Sequence, residues 1–326
     1  MTDLYTRISE QPRDALDTIA KSLNIRASEP AMQTICARYM AQIALPGGAR
    51  VLEIGCGNGA TTKLIMQHVR PAQLVGIDPS RVFIDMARET FADEPEVSFA
   101  VGDAVATGEA DAFFDLVISH TVYSHLVDPE GALAEARRVL RPGGQLVIFD
   151  GDFATITVAL FDGDPLQSAV GAVLRHMMHA PYIMRRLPAL VTAAGFSVQS
   201  VEPHGYVQTT SPDFLLTLLS RGTNAAAHAG EIGQGLVDGF AQEARRRVAN
   251  GRLLACLRGT AGQWSKRGRP CKKAPPGQPS FLTTKPDCHA TFESMNWRSW
   301  DLEIFDLLFY TVIAALLLFV IYEAML

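Results

Sequence analysis

Val-Leu-Glu-Ile-Gly-Cys-Gly-Asn-Gly, residues 51–59, decides the fold. A short apolar run, which reads as a buried strand, ends in glycines at 55, 57 and 59, with a carboxylate two residues before the first. Glycine at these positions permits positive φ and removes the Cβ that would hold a ligand off the main chain. Thr61 to Val69 follows with helical spacing at Leu64, Ile65 and Val69, so the loop is expected to present a helix N-terminus and its free N–H groups to a nucleotide-type ligand.

Working outward, the pattern alternates. Strands are expected at Arg50 to Ile54, Leu74 to Ile77, Val97 to Val101, Phe114 to Ser119 and Gln145 to Phe149, with helices after Ser80 and over Pro129 to Leu140. Five strand and helix alternations imply an α/β fold, a mostly parallel Rossmann-like sheet with helices on both faces. In such sheets ligands lie at the carboxyl ends of the strands. Those ends carry Glu53 to Gly59, Asp78, Asp103 with Ala104, Ser119 with His120, and Asp150 with Asp152. Each residue alone has an ordinary explanation as a turn or cap, but their joint occurrence points to a site.

Residues 1–48 carry helical stripes (Leu16, Ile19, Ala20, Leu23; Met32, Ile35, Cys36, Tyr39) and are expected to form two or three helices, a helical N-terminal extension that covers the core or closes over the site. Helices are also expected at Pro165 to Met178 and Ile183 to Ala194, a sixth strand at Phe196 to Glu202, and a helical cap insertion over about 209–250. Its Phe214, Leu215, Leu218 and Phe240 fit a substrate cap and plain packing equally. Arg245-Arg246-Arg247 reads as a solvated helix face.

At 48% apolar and 19% charged, the 326 residues suit one large domain with additions, 49–257 being its core. A net charge of -5 speaks against a generally basic nucleic-acid binder, although 258–298 holds eight Lys and Arg against two Asp and Glu. Five cysteines without a CxxC pair give no disulfide framework and no ordinary zinc spacing, so a reducing, cytoplasmic setting and no metal are expected; the Met-Thr-Asp-Leu-Tyr start has no signal-like apolar stretch.

Gly55 to Ala60 with Asp78 also fits a dinucleotide fingerprint. Glu53 argues against it, because a carboxylate repels pyrophosphate and attracts an ammonium or sulfonium. With Gly-Ile-Asp-Pro-Ser (76–80), Gly-Asp-Ala (102–104), Phe-Asp-Leu-Val-Ile-Ser-His (114–120) and Leu-Arg-Pro-Gly-Gly-Gln-Leu (140–146) in order, the chain resembles the class I S-adenosylmethionine-dependent methyltransferases, particularly the small-molecule group that includes the ubiquinone and menaquinone biosynthesis enzymes. The resemblance covers about residues 30–200. It implies S-adenosyl-L-methionine as cofactor and a small-molecule acceptor. It also implies that Glu53 and the loop Gly55, Cys56, Gly57, Asn58 and Gly59 hold the methionine end, that Asp78 with Pro79 meets the ribose, and that Asp103 with the Ala104 N–H reads the adenine. Ser119 and His120 would border the methyl group. If the acceptor must lose a proton, His120, His125 and Asp150 are the nearest bases by strand-end logic. The alternatives are an NAD-dependent oxidoreductase and a non-catalytic cofactor-binding protein tethered to a membrane.

The last expected strand begins at Arg252, but Arg258 to Gly262 is expected to end it by Leu257. Residues 258–300 read as a basic, Pro-containing linker, and 301–326 as a hydrophobic helix. Leu307 to Tyr322 is a 16-residue run without charge, Gly or Pro, between the lengths of a core helix and a clear span. It fits a membrane anchor, a docked helix or an aberrant extension.

Overall fold

In the computed structural model, residues 3–209 and 212–267 are described; the basic linker beyond Arg267 and the hydrophobic run lie outside them, as do Cys271, Cys288 and His289. Seven strands form one sheet in the order β3-β2-β1-β4-β5-β7-β6. β1 (Arg50–Ile54), β2 (Gln73–Asp78), β3 (Val97–Val101), β4 (Phe114–His120) and β5 (Leu140–Thr157) are parallel neighbours, while β7 (Ala255–Lys266) runs antiparallel between β5 and β6 (Phe196–Gln208). β1 pairs Val51 with Leu74 on one side and Leu116 on the other. The strand order therefore reverses at β1, and the crevice between the ends of β1 and β4 is where such a sheet binds ligands.

Both faces are covered. α2 (Pro30–Met40), α3 (Ala60–His68), α6 (Pro165–Met177) and α8 (Asp213–His228) supply one apolar layer; α5 (Pro129–Val139) and α7 (Ile183–Ala193) supply the other. α4 (Arg81–Thr90), capped by Ser80, packs Phe83 against Ile8, Leu16 and Ile19 of the N-terminal segment and α1 (Arg13–Ser28). α9 (Gln234–Ala249) follows α8 between β6 and β7.

Several expectations need correction. β7 runs through Arg258 to Gly262 and ends at Lys266, so the domain extends beyond residue 257. The small residues there are packing requirements: a Cβ at Gly259 would press on the Phe149 ring and one at Gly262 would overlap Trp264. β6 continues to Gln208 because β7 is there to pair with it. The Pro142-Gly143-Gly144 turn lies inside β5 as an irregularity between the pairs Phe114–Leu140 and Leu116–Gln145, pinned by Arg141 to Asp115 at 2.7 Å. Arg247 is not solvated: its guanidinium grips Asp164 through two bonds of 2.7 and 2.8 Å, at the N-cap of α6. Phe214, Leu215 and Leu218 of the insertion are buried in the main core.

Candidate functional site

The crevice is a cavity of about 330 Å³, at the lower end of small-molecule sites. Gly55, Cys56, Gly57, Asn58, Asp78, Pro79, Asp103, Ala104, His120 and His125 line it, so strand-end logic brings ten of its candidates to one place. Glu53, Gly59, Ser119 and Asp150 do not line it.

The glycine loop is tightly folded on itself. Gly55 and Cys56 N–H both donate to Ile77 O (2.8 and 3.0 Å), Gly57 N–H donates to Asp78 Oδ2 (3.0 Å), and Gly59 N–H donates to Cys56 O (3.0 Å). The N–H groups of the loop itself are thus used at these four positions, while α3 begins at Ala60 and brings Ala60 and Thr61 to the cavity wall. Gly55 and Gly57 have φ of 73° and 54°, and a Cβ at Gly55 would overlap the Val122 side chain beyond β4. Gly59 instead starts α3 beneath Phe91.

Two carboxylates sit at this loop with no salt bridge to a basic side chain among the described residues. Glu53 is buried under it and accepts from Thr62 Oγ1 at 2.6 Å; burial raises its pKa to about 7 against that bond, and Asp78 raises it further. Asp78 is pushed up to about 6 by burial, opposed by the N–H groups of Ser80 (2.9 Å) and Gly57. Desolvated acids that lack a counter-ion favour a cationic ligand. Asp103 accepts from Val105 N–H at 3.0 Å, which turns the chain after β3.

At the end of β4, His120 Nδ1 lies 2.9 Å from the Tyr39 hydroxyl, and its ring stacks on Phe149 at 4.6 Å. Burial and then Arg26 hold the imidazole well below its usual range, and burial raises the Tyr39 phenol, so the pair is neutral. Asp150 is fully buried and accepts from Ser124 N–H (2.9 Å), Ser124 Oγ (3.1 Å) and Gly151 N–H (2.7 Å). It braces the turn that carries His125 and, walled off from the cavity, is removed from the candidate bases. Asp152 is likewise committed, to Arg185.

The open side is closed by residues that strand-end logic could not reach. The 3-10 segment Leu4–Glu10 contributes Tyr5, Thr6, Ile8 and Ser9, and α1 contributes Leu23 and Arg26. His125 Nδ1 meets Asp3 Oδ2 at 2.5 Å, with the Tyr5 ring centroid 4.3 Å from that of His125. Asn58 Nδ2 donates to Asn24 Oδ1 (3.0 Å) and to Ala20 O (3.4 Å), tying the loop to α1.

Residues 52–148 match the family model described as a methyltransferase domain, a segment that runs from β1 into β5 and contains the loop, Asp78, Asp103 and His120. Residues 52–148 are thus a methyltransferase domain, carried on a mostly parallel, Rossmann-like sheet. The chain is 33% identical over 188 residues to an uncharacterized 37.1 kDa protein of transposon TN4556 from Streptomyces fradiae, covering 57% of this chain and 54% of that protein. It is 31% identical over 109 residues to trans-aconitate 2-methyltransferase of Variovorax paradoxus, covering 33% and 41%. The chain thus spans about half, or less, of the length of these relatives. Among solved structures, the [4+2]-cyclase SpnF matches with a TM-score of 0.52 at 18% identity over 82% of this chain and 98% of that one. The YcgJ protein of Bacillus subtilis matches with a TM-score of 0.51 at 19% identity over 72% and 100%. Both likenesses concern the fold.

Proposed function

We propose that this chain binds S-adenosylmethionine in the β1–β4 crevice and transfers its methyl group to a small organic acceptor. The observation that carries the reading is the electrostatics of the glycine loop. Its N–H groups at 55, 56, 57 and 59 are consumed within the protein, and the desolvated Glu53 and Asp78 carboxylates set negative charge at the loop, which repels a pyrophosphate and attracts a cation. That combination favours a sulfonium and ammonium ligand over NAD.

When bound, the cofactor supplies an electrophilic methyl group on sulfur. The protein's share is to bind, orient and exclude water. Asp78 meets the cofactor at the cavity wall, with Glu53 adding its charge from beneath the loop, Asp103 and the Ala104 N–H suit the adenine, and the Tyr5 to Ser9 segment shuts the crevice. Held by these residues, the cofactor would supply its methyl group in line to the acceptor, with the carbon–sulfur electron pair staying on sulfur. Where the acceptor carries a proton, His120 or His125 can take it; both line the cavity. His120 can act so where its Nδ1–H donates to the Tyr39 hydroxyl, the tautomer that leaves Nε2 unprotonated.

Calorimetric titration with S-adenosylhomocysteine and NADH tests the site: tight binding of the former, lost in Asp78→Ala, is expected, and preference for NADH would sink the reading. Transfer of label from methyl-labelled cofactor into metabolite extracts tests the reaction.

Among the described residues no helix is long and apolar enough to cross a membrane. The run Leu307 to Tyr322 and the basic stretch before it support a membrane contact from the cytoplasmic side. Vesicle pelleting that persists after deletion beyond residue 300 would remove this part of the reading.

A further inference from the structure

Arg26, in the last turn of α1, is 8% exposed, and its guanidinium makes no hydrogen bond or ion pair among the described residues. The Phe214 ring lies 5.6 Å from its guanidinium carbon. A buried guanidinium without an anion is an expensive arrangement, and such groups persist where a ligand completes them. Asp150, although electrostatically coupled to it, is saturated by Ser124 and Gly151.

Arg26 faces two spaces. One is the main cavity; the other is a notch of about 10 Å³ whose walls include Thr121, Phe149, Phe153, Tyr206 and Phe214. Thr121 also belongs to both, held with φ of 58° just beyond His120. Its Oγ1 and the buried Tyr206 hydroxyl have no hydrogen-bond partner. Three donor-bearing side chains thus line one small space with no carboxylate in its lining, and the other walls are glycine, apolar or aromatic. A single water fits the notch and would serve the two hydroxyls, but it leaves the Arg26 charge unbalanced. An oxyanion satisfies all three. The notch is too small for a tetrahedral phosphate, whereas one edge of a planar carboxylate matches both the space and the guanidinium fork.

The notch includes no residue of the glycine loop, of the β2 end or of the 102–105 turn. Its walls come instead from α1, α2, the ends of β4 and β5, β6, β7 and α8, and Thr121 and Arg26 join it to the main cavity. We propose that Arg26, with the Thr121 and Tyr206 hydroxyls, forms the carboxylate subsite of the methyl acceptor, so that the acceptor is a small organic acid whose body lies in the main cavity. This rests on the crevice being the cofactor site.

The test uses the full chain with S-adenosylhomocysteine bound, titrated calorimetrically with small aryl and alkyl carboxylic acids and their matched primary amides. Wild type is expected to bind at least one acid at least about tenfold more tightly than its amide, the scale of a charge-assisted hydrogen bond. Arg26→Gln abolishes that preference and Tyr206→Phe weakens it, while the Tyr206→Phe variant, altered outside the main cavity, binds S-adenosylhomocysteine within about twofold of wild type. Acids binding no better than amides, or not at all, overturn the proposal. So does an Arg26→Gln variant that loses S-adenosylhomocysteine but keeps 5′-methylthioadenosine, for Arg26 then serves the cofactor's own carboxylate. Failure of S-adenosylhomocysteine to bind wild type is a different result, and refutes the cofactor site itself. Arg26→Met removes the unpaired charge and should melt no lower than wild type, so lost acid binding in that variant cannot be assigned to misfolding.

Discussion

Asp3 and His125, 122 residues apart in sequence, meet at 2.5 Å across the mouth of the cavity. Asp3 also caps the segment that follows through Tyr5 N–H and accepts from His179 N–H, so one buried carboxylate fastens the N-terminal segment to the β4–α5 connection and to the loop before α7. Asp3→Ala removes all three bonds. Cofactor affinity should fall about tenfold or more, the value of a charged hydrogen bond, and limited proteolysis should cut within the first dozen residues. Unchanged protection would mean that the segment is held by Ile8 and Tyr5 alone.

The acids at the loop make binding depend on pH. Glu53 and Asp78 have raised pKa values in the folded protein, about 7 and about 6, so the folded state holds protons more tightly than the unfolded one. Their contribution to stability is greatest below the unfolded carboxylate range and declines as pH rises to about 7, without further change above. A cationic ligand works in the opposite direction, since it needs the ionised acids. S-adenosylmethionine affinity should rise by about tenfold or more from pH 5.5 to 7.5 with proton release, and Glu53→Gln should flatten the curve. Calorimetry in two buffers of different ionisation enthalpy measures the proton count.

Gly55 answers to two constraints that a double variant separates. Gly55→Ala places a methyl against Val122 and forces an alanine to φ of 73°. Adding Val122→Ala relieves the overlap but not the backbone strain, which costs about 1 kcal/mol. Cofactor binding should therefore recover only in part, and full recovery would show that the close approach of β4 is what the glycine permits.

Arg247 and Asp164 should behave as a buried pair. Arg247→Met strands the Asp164 carboxylate and should cost about 3 kcal/mol in urea unfolding, while Asp164→Asn in the same chain should return part of it. Because neither residue lines the cavity, S-adenosylhomocysteine affinity should not move.

The parallel half of the sheet was legible because its signals are local: Val-Leu-Glu-Ile-Gly and Phe-Asp-Leu-Val-Ile-Ser-His are apolar strands that end at polar groups, and strand ends predict where ligands lie. What escaped depends on partners far along the chain. Arg258 to Gly262 looks like a strand terminator until Phe149 and Trp264 are seen to occupy the space that side chains would need. Asp150 carries the same signal as Asp78, yet it is spent on Ser124, and nothing near residue 150 announces that. Arg247 was read from its run of three, but its fate was set by Asp164, 83 residues away. Arg26 had no signal at all; a single arginine on an amphipathic helix ordinarily faces water.

The Asn58 amide has a consequence for how two ligands would sense one another. It joins the glycine loop to α1 at Ala20 and Asn24, and Arg26 stands two residues further along the same rigid helix. Whatever settles the loop also settles the guanidinium. Occupancy of one end should therefore raise affinity at the other by the same factor in both directions, as linkage demands. Asn58→Ala would uncouple the ends and leave two independent sites where the folded chain has a cooperative one.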